Sequence, residues 1–198
     1  MRQEIIKALE ELKTIHLERK GEPSFLSIES YECSLNNGKK IKREKLLKHG
    51  SDGSAVIIYP ITDEGKIILA CEPRVFTETT VDIGFPAGYI EKSESNITAA
   101  KRELLEETGY EARELIHLGS CYQDQGCSGA LNHYFLALGC KRVSDQHLDD
   151  SEYVRYFTVT SDELKELVDG GYITGLNTNY LYLKGENYVK KMGCRENN

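Results

Sequence analysis

No apolar stretch in this chain is long enough to span a bilayer; the longest, Ala55 to Ile61, is interrupted by Pro60. The N-terminus lacks the layout of a secretory signal peptide, so a cytoplasmic protein without membrane attachment is expected. Positive charge does not dominate either. The formal net charge of −7 argues against nucleic acid as a partner, because that binding rests on grouped Lys and Arg. The six cysteines form no C-x-x-C pair and no zinc-finger spacing. Several lie in apolar runs, which predicts buried free thiols in a reducing compartment rather than disulfides. The five histidines include no i, i+4 pair, so none is assigned to a metal. Internal repeats and low-complexity segments are missing too.

What is present suits one domain of ordinary size with a small N-terminal appendage: 198 residues, 39% hydrophobic and 29% charged. Residues Arg2 to Glu18 read as an amphipathic helix with Ile5, Leu9 and Leu12 on one stripe, ended by Lys20 to Pro23. Phe25 to Ser34 and Lys39 to Leu47 read as a hairpin around Asn36-Asn37-Gly38, with Lys39, Lys40, Lys42, Arg43 and Lys45 forming a basic ribbon. Ala55 to Pro60, Lys66 to Cys71, Leu115 to Tyr122, Asn132 to Leu138 and Tyr153 to Val159 read as strands. Thr160 and Glu163 form a capping box opening a helix that ends at Gly170-Gly171. Leu176 to Lys191 reads as a last helix, interrupted or kinked near Gly185.

The stretch from Gly88 to Tyr110 carries the chemistry. Ser95 can cap a helix there and Gly109 can end it. Between them Glu103, Glu106 and Glu107 stand at i, i+3 and i+4, so their carboxylates share one face, expected to be exposed when no metal is bound. Ile97, Ala100 and Leu104 form a separate apolar face. Like charges at this spacing repel unless a cation sits among them, and a hard divalent ion such as Mg²⁺ suits oxygen ligands.

The positions Gly88, Glu94, Arg102-Glu103-Leu104, Glu106-Glu107 and Gly109 have the spacing of the Nudix box, and the chain resembles a Nudix hydrolase on that ground. Tyr110 stands where the box usually has an aliphatic residue. Glu72-Pro73-Arg74, Phe85 to Glu91 and Asp150-Ser151-Glu152 are similar to elements of the ADP-ribose and ADP-sugar pyrophosphatase branch. Gly84, Gln125 and Glu72 depart from that branch, which has glutamate, proline and glutamine there. The resemblance implies an α/β/α sandwich with a mixed sheet over 51–198, preceded by a helix and hairpin over 1–50 that serve dimerisation. It further implies Mg²⁺, with Mn²⁺ as a substitute, held by Glu103, Glu106, Glu107 and the carbonyl of Ala87. Glu106, Asp150 and Glu152 would be catalytic, and Arg74 and Gly126 would contact substrate. Glu94 and Arg102 would brace the loop against the helix. The implied reaction is hydrolysis of a nucleoside diphosphate sugar, ADP-ribose first, by a homodimer. The other class, a sensor domain that leaves such a ligand intact, would be expected to have lost box glutamates, and all are present.

Overall fold

The computed structural model describes residues 1–19, 25–150 and 152–196; the break at 20–23, Ser151 and the Cys194 side chain lie outside the described residues. The amphipathic segment folds as α1 (Gln3–Leu12), shorter than the helix expected to reach Glu18. Ile5 and Ala8 enter the core with Leu9 and Leu12 beside them, and the helix ends where that apolar stripe ends. Beyond it the backbone is extended, Ile15 is 96% exposed, and the Thr14 N–H donates to Thr80 Oγ1 at 3.0 Å.

β1 (Leu26–Ser34) and β2 (Lys40–Lys48) form a separate two-stranded antiparallel sheet with Ser34 opposite Lys40. Gly38 turns the chain at φ 79°, a left-handed conformation that costs glycine little. Within the basic ribbon, Lys40 pairs with Glu32 and Lys45 with Asp52.

The main sheet is mixed. At its centre β3 (Ala55–Thr62) runs parallel to β9 (Leu131–Arg142), placing Ala55 opposite Asn132 and Ile57 opposite Tyr134. The other side of β3 takes β6 (Ala87–Tyr89), with Tyr89 opposite Ala55 and Gly88 opposite Val56. β9 also pairs with β8 (Glu114–Tyr122) and with the two-residue β7 (Tyr110–Glu111), which the sequence pattern did not announce. β4 (Ile67–Pro73) meets β3 at a turn and pairs antiparallel with β5 (Val81–Gly84) and β10 (Arg155–Val159).

Both faces of the sheet are covered, which is why β3 reads as a continuous apolar run rather than an alternating one. α2 (Asn96–Thr108) covers one face, packing Ala99, Ala100 and Leu104 on Val56, Ile58, Phe135 and Ala137. On the other face Ile57, Tyr59 and Leu136 pack with Ile5 of α1, Leu164 of α3 (Ser161–Asp169) and Leu181 of α4 (Leu176–Glu196). The α/β/α sandwich is therefore present. The capping box of α3 forms in full, the Glu163 N–H reaching Thr160 Oγ1 at 3.1 Å and the Thr160 N–H reaching Glu163 Oε2 at 2.8 Å.

Two expectations are corrected here. Helix α4 runs through Gly185 without interruption. A Cβ at Gly185 would lie 2.3 Å from Tyr59 Cδ1, so this glycine lets the helix backbone approach the ring rather than breaking the helix. The described cysteines are free, as expected, but among them Cys71 and Cys140 are buried, burial pushing their thiols up to about 12, whereas Cys33, Cys121 and Cys127 are partly exposed. Gly84 has a packing reason as well, since a Cβ there would lie 2.9 Å from Thr178 Oγ1. Among the described residues no helix is long and apolar enough to cross a membrane.

Candidate active site

The site is built on α2 and on the short strand that passes its flank. Ser95 caps the helix, accepting the Thr98 N–H at 3.1 Å, and Gly109 ends it at φ 74° with its N–H on Leu105 O at 2.7 Å. The glutamate face is not the exposed surface expected from helical periodicity. Glu103 and Glu107 are buried at 7% and 5% exposure, whereas Ile97, assigned to the apolar face, is 51% exposed. β6 lies across the helix here and takes the place of solvent. Gly88 makes this crossing feasible, because a Cβ on it would sit 2.0 Å from Glu103 Oε1. The neighbouring Ala87 N–H donates to Glu107 Oε2 at 3.2 Å.

A guanidinium is hydrogen-bonded to two of these carboxylates. Arg102 is held by Glu94 in a two-point contact, Nε to Oε1 at 3.0 Å and Nη2 to Oε2 at 2.9 Å, and Nη2 also donates to the Tyr89 carbonyl at 2.9 Å. That is the expected brace between loop and helix. The same guanidinium does more, since its Nη1 reaches Glu103 Oε1 at 2.8 Å and Glu106 Oε2 at 3.0 Å.

The positive charge is still insufficient. Burial pushes the Glu103 carboxyl up to about 7 despite Arg102. Burial raises Glu107 well above the usual carboxylate range, and the charges of Glu72, Glu103 and Glu152 add to the effect. Buried anions short of counter-charge are costly, so this cluster favours whatever positive group can reach it.

The carboxylates open into a cavity of about 740 Å³. Its wall carries Ala87, Glu103, Glu106, Glu107, Arg74 and Glu152, so six of the residues singled out in the sequence converge. Two do not. Asp150 is exposed and does not line the cavity, whereas its neighbour Asp149 does. Gly126 also lies off the wall. Its N–H donates to Asp124 Oδ1 at 3.1 Å, and its loop supports the hairpin, Cys127 O accepting the Leu46 N–H at 2.7 Å. Arg74 bonds Glu72, whose carboxyl is raised by burial with Arg74 opposing.

The acidic loop after β9 is anchored to α2, the His147 N–H donating to Glu106 O at 2.9 Å and the Val143 N–H to Gly109 O at 2.8 Å. Gln146 bridges the Glu107 and Val154 carbonyls. Glu152 Oε2 accepts the Asp149 N–H at 3.1 Å.

The sequence reading missed Lys48, His49, Gln123, Asn132 and Asn177, all on the cavity wall. The available signal was weak: a polar Asn leading the apolar run of β9, and one Lys just past the ribbon. Beside this cavity lies a second one of about 850 Å³ lined by Phe25, His49 and Tyr89. The Phe25 ring meets His49 edge-on at 4.7 Å and Tyr89 at 6.1 Å.

A NUDIX domain family model matches residues 52–173, which takes in the box glutamates, Arg74 and Glu152. The chain belongs to the NUDIX family. Among its relatives, ADP-ribose pyrophosphatase of Bacillus subtilis (strain 168) is 35% identical over 88% of this chain and 92% of that protein. The methanol dehydrogenase activator of Bacillus methanolicus is 32% identical over 80% of this chain and 83% of its own length. A crystal structure of an ADP compounds hydrolase superposes with a TM-score of 0.73 at 23% identity, covering 90% of this chain and 94% of the other, and shares the fold.

In this Nudix hydrolase the box contributes oxygen donors alone, which fits a hard divalent cation. Among the described residues no three carboxylates, imidazoles or thiols are gathered around one point, and Glu103 and Glu106 are turned to Arg102 instead.

Proposed function

We propose that this Nudix hydrolase cleaves the diphosphate of a nucleoside diphosphate sugar, with ADP-ribose as the preferred substrate, giving AMP and ribose 5-phosphate. The observation that carries the reading is the shared wall of the 740 Å³ cavity, where buried, under-compensated carboxylates stand with Arg74. Glu103, Glu106, Glu107 and the Ala87 carbonyl would hold Mg²⁺, or Mn²⁺ in its place. Such an ion supplies charge neutralisation for the diphosphate and a more acidic water. Arg74 grips a phosphate oxygen, exchanging its contact with Glu72 for one with substrate. Glu152 would accept a proton from the attacking water, a role supported by its position on the cavity wall, which Asp150 does not share. The aromatic chamber of Phe25, His49 and Tyr89 suits a nucleobase, whose face stacks on such rings. The activities named for the Bacillus subtilis protein and for the ADP compounds hydrolase of Escherichia coli (strain K12), 33% identical over 57% of this chain, support the same substrate class.

The test is a panel of ADP-ribose, ADP-glucose, GDP-mannose, UDP-glucose, NADH and dGTP with Mg²⁺, products read by phosphorus NMR. ADP-ribose is expected among the best by kcat/KM and dGTP poor, with broad use of the sugars. A lead of about tenfold or more for dGTP or NADH, roughly 1.4 kcal/mol of transition-state preference, would overturn the substrate assignment.

We also infer a homodimer built on residues 1–50. β1 is exposed along nearly its whole length, with Leu26, Ile28 and Tyr31 at 46%, 66% and 46% exposure, and such an uncovered strand pair invites pairing. Light scattering at micromolar concentration should give twice the chain mass; a fully active monomer would refute it.

A further inference from the structure

Asn132 is the second residue of β9 and is 1% exposed, yet its Oδ1 is a buried side-chain atom without a hydrogen-bond partner, the one such atom among the described residues. Its Nδ2 donates to Asn177 Oδ1 at 3.0 Å, and the Tyr134 hydroxyl donates to that same oxygen at 2.9 Å. Burial raises the Tyr134 phenol, so it stays protonated and keeps the proton it donates to Asn177. The phenol thereby orients the Asn177 carboxamide, which in turn orients Asn132. The unpaired atom is left as an acceptor, and leaving a buried acceptor unpaired is destabilising unless something else supplies a proton donor.

The position of that atom narrows what the donor is. Tyr89, Ala55 and Asn132 lie directly opposite one another across β6, β3 and β9, so their side chains share one face of the sheet. Ala55 between them has only a methyl group, and Ala55 and Asn132 both line the cavity. Two strand spacings, roughly 10 Å, separate β9 from β6 and its Ala87 beside Glu107, a span that one sugar attached to a diphosphate can cover.

We propose that Asn132 is a specificity-determining acceptor for a ribose hydroxyl of the substrate, positioned by Asn177 and Tyr134. This rests on reading the cavity as a nucleotide-sugar site. A ribose offers adjacent hydroxyls that both donate and accept, which matches two neighbouring carboxamides; an exocyclic base amine serves only the acceptor.

The test compares wild type with Asn132→Leu on four diphosphates. These are ADP-ribose, the β-methyl ester of ADP, an ADP-ribose lacking the adenosine hydroxyls, and the inosine counterpart of ADP-ribose. Asn132→Leu is expected to lower kcat/KM for ADP-ribose by ~10- to 100-fold, mainly through KM. It should leave nearly unchanged the one analogue that lacks the contacted hydroxyl, and that analogue identifies which ribose is read. Equal losses on all four would mean a structural role and would overturn the proposal. No loss on any would mean that water satisfies the atom, and sparing of the inosine compound alone would mean a base contact; either overturns it. Should the Leu variant fail to fold, Asn177→Ala, at a partly exposed position in the first turn of α4, must show the same selectivity at smaller size, and equal losses there refute the proposal. A wild-type enzyme that cleaves none of the four refutes the functional reading itself, and this inference with it.

Discussion

Glu107→Gln is expected to lower kcat/KM by ~1,000-fold or more while leaving thermal stability unchanged or higher. The two effects have one origin. Glu107 is 5% exposed, and its Oε2 accepts a 3.2 Å bond from the Ala87 N–H. Burial holds its carboxyl well above the usual range, so the folded protein bears the cost of an anion with too little compensation. Glutamine keeps the shape and can still accept the Ala87 N–H, but removes the charge that a divalent cation would need. The stability gain has a definite pH sign. A carboxyl raised by folding contributes stability below its unfolded value of 4.5 and loses it as pH rises through the folded value. The advantage of the Glu107→Gln variant over wild type should therefore be larger at pH 8 than at pH 5. Calorimetry without divalent ions and steady-state kinetics with Mg²⁺ check both halves. Near-normal turnover at moderate Mg²⁺ would remove Glu107 from the ligand set, and a large loss of melting temperature would contradict the burial argument.

Gly88→Ala should retain the fold and lose ~100-fold or more in kcat/KM, because displacing a catalytic group by about an ångström is enough for such a loss. The added Cβ would lie 2.0, 2.1 and 2.2 Å from the three atoms of the Glu103 carboxylate. That carboxylate is the far end of a flexible side chain, so it can swing away without unfolding the helix. Doing so breaks its 2.8 Å bond to Arg102 Nη1 and takes it from Glu106 and Glu107. The expected signature is a weakened response to Mg²⁺, with the required concentration rising while the circular dichroism spectrum stays that of wild type. Full activity at wild-type Mg²⁺ concentrations would show that the close approach of β6 to α2 is not needed for function.

Features encoded within a few residues of one another could be read directly. The Ser95 and Gly109 ends of α2, the Thr160–Glu163 box and the Asn36-Asn37-Gly38 turn all rest on short-range hydrogen bonding or backbone conformation, and each forms. The Glu94–Arg102 pair likewise follows from box spacing. Where periodicity alone was used, the outcome depended on what packed against the helix. It placed Ile97 in the core and the glutamates in solvent, but β6 covers Glu103 and Glu107 while Ile97 is left outside. Gly185 carried the helix-breaker expectation because its sequence neighbours say nothing of Tyr59, which is distant in the chain and adjacent in space.

The sequence by itself determined the family, the mixed α/β class and the set of box glutamates, because the box is contiguous and its residue types report the oxygen-donor chemistry directly. Tertiary structure alone decided which acids face the cavity. Glu152 and Asp149 line it and Asp150 does not, since the loop's path is set by its bonds to Glu106, Glu107 and Gly109 on α2. It also decided that Arg102 serves two box glutamates as well as Glu94, and that Asn132 and Tyr134 are both hydrogen-bonded to Asn177. Asn132 and Tyr134 come from a strand and Asn177 from a helix, with 45 positions of chain between the two asparagines. Their meeting depends on how β9 and α4 pack, and no local pattern of side chains encodes that distance.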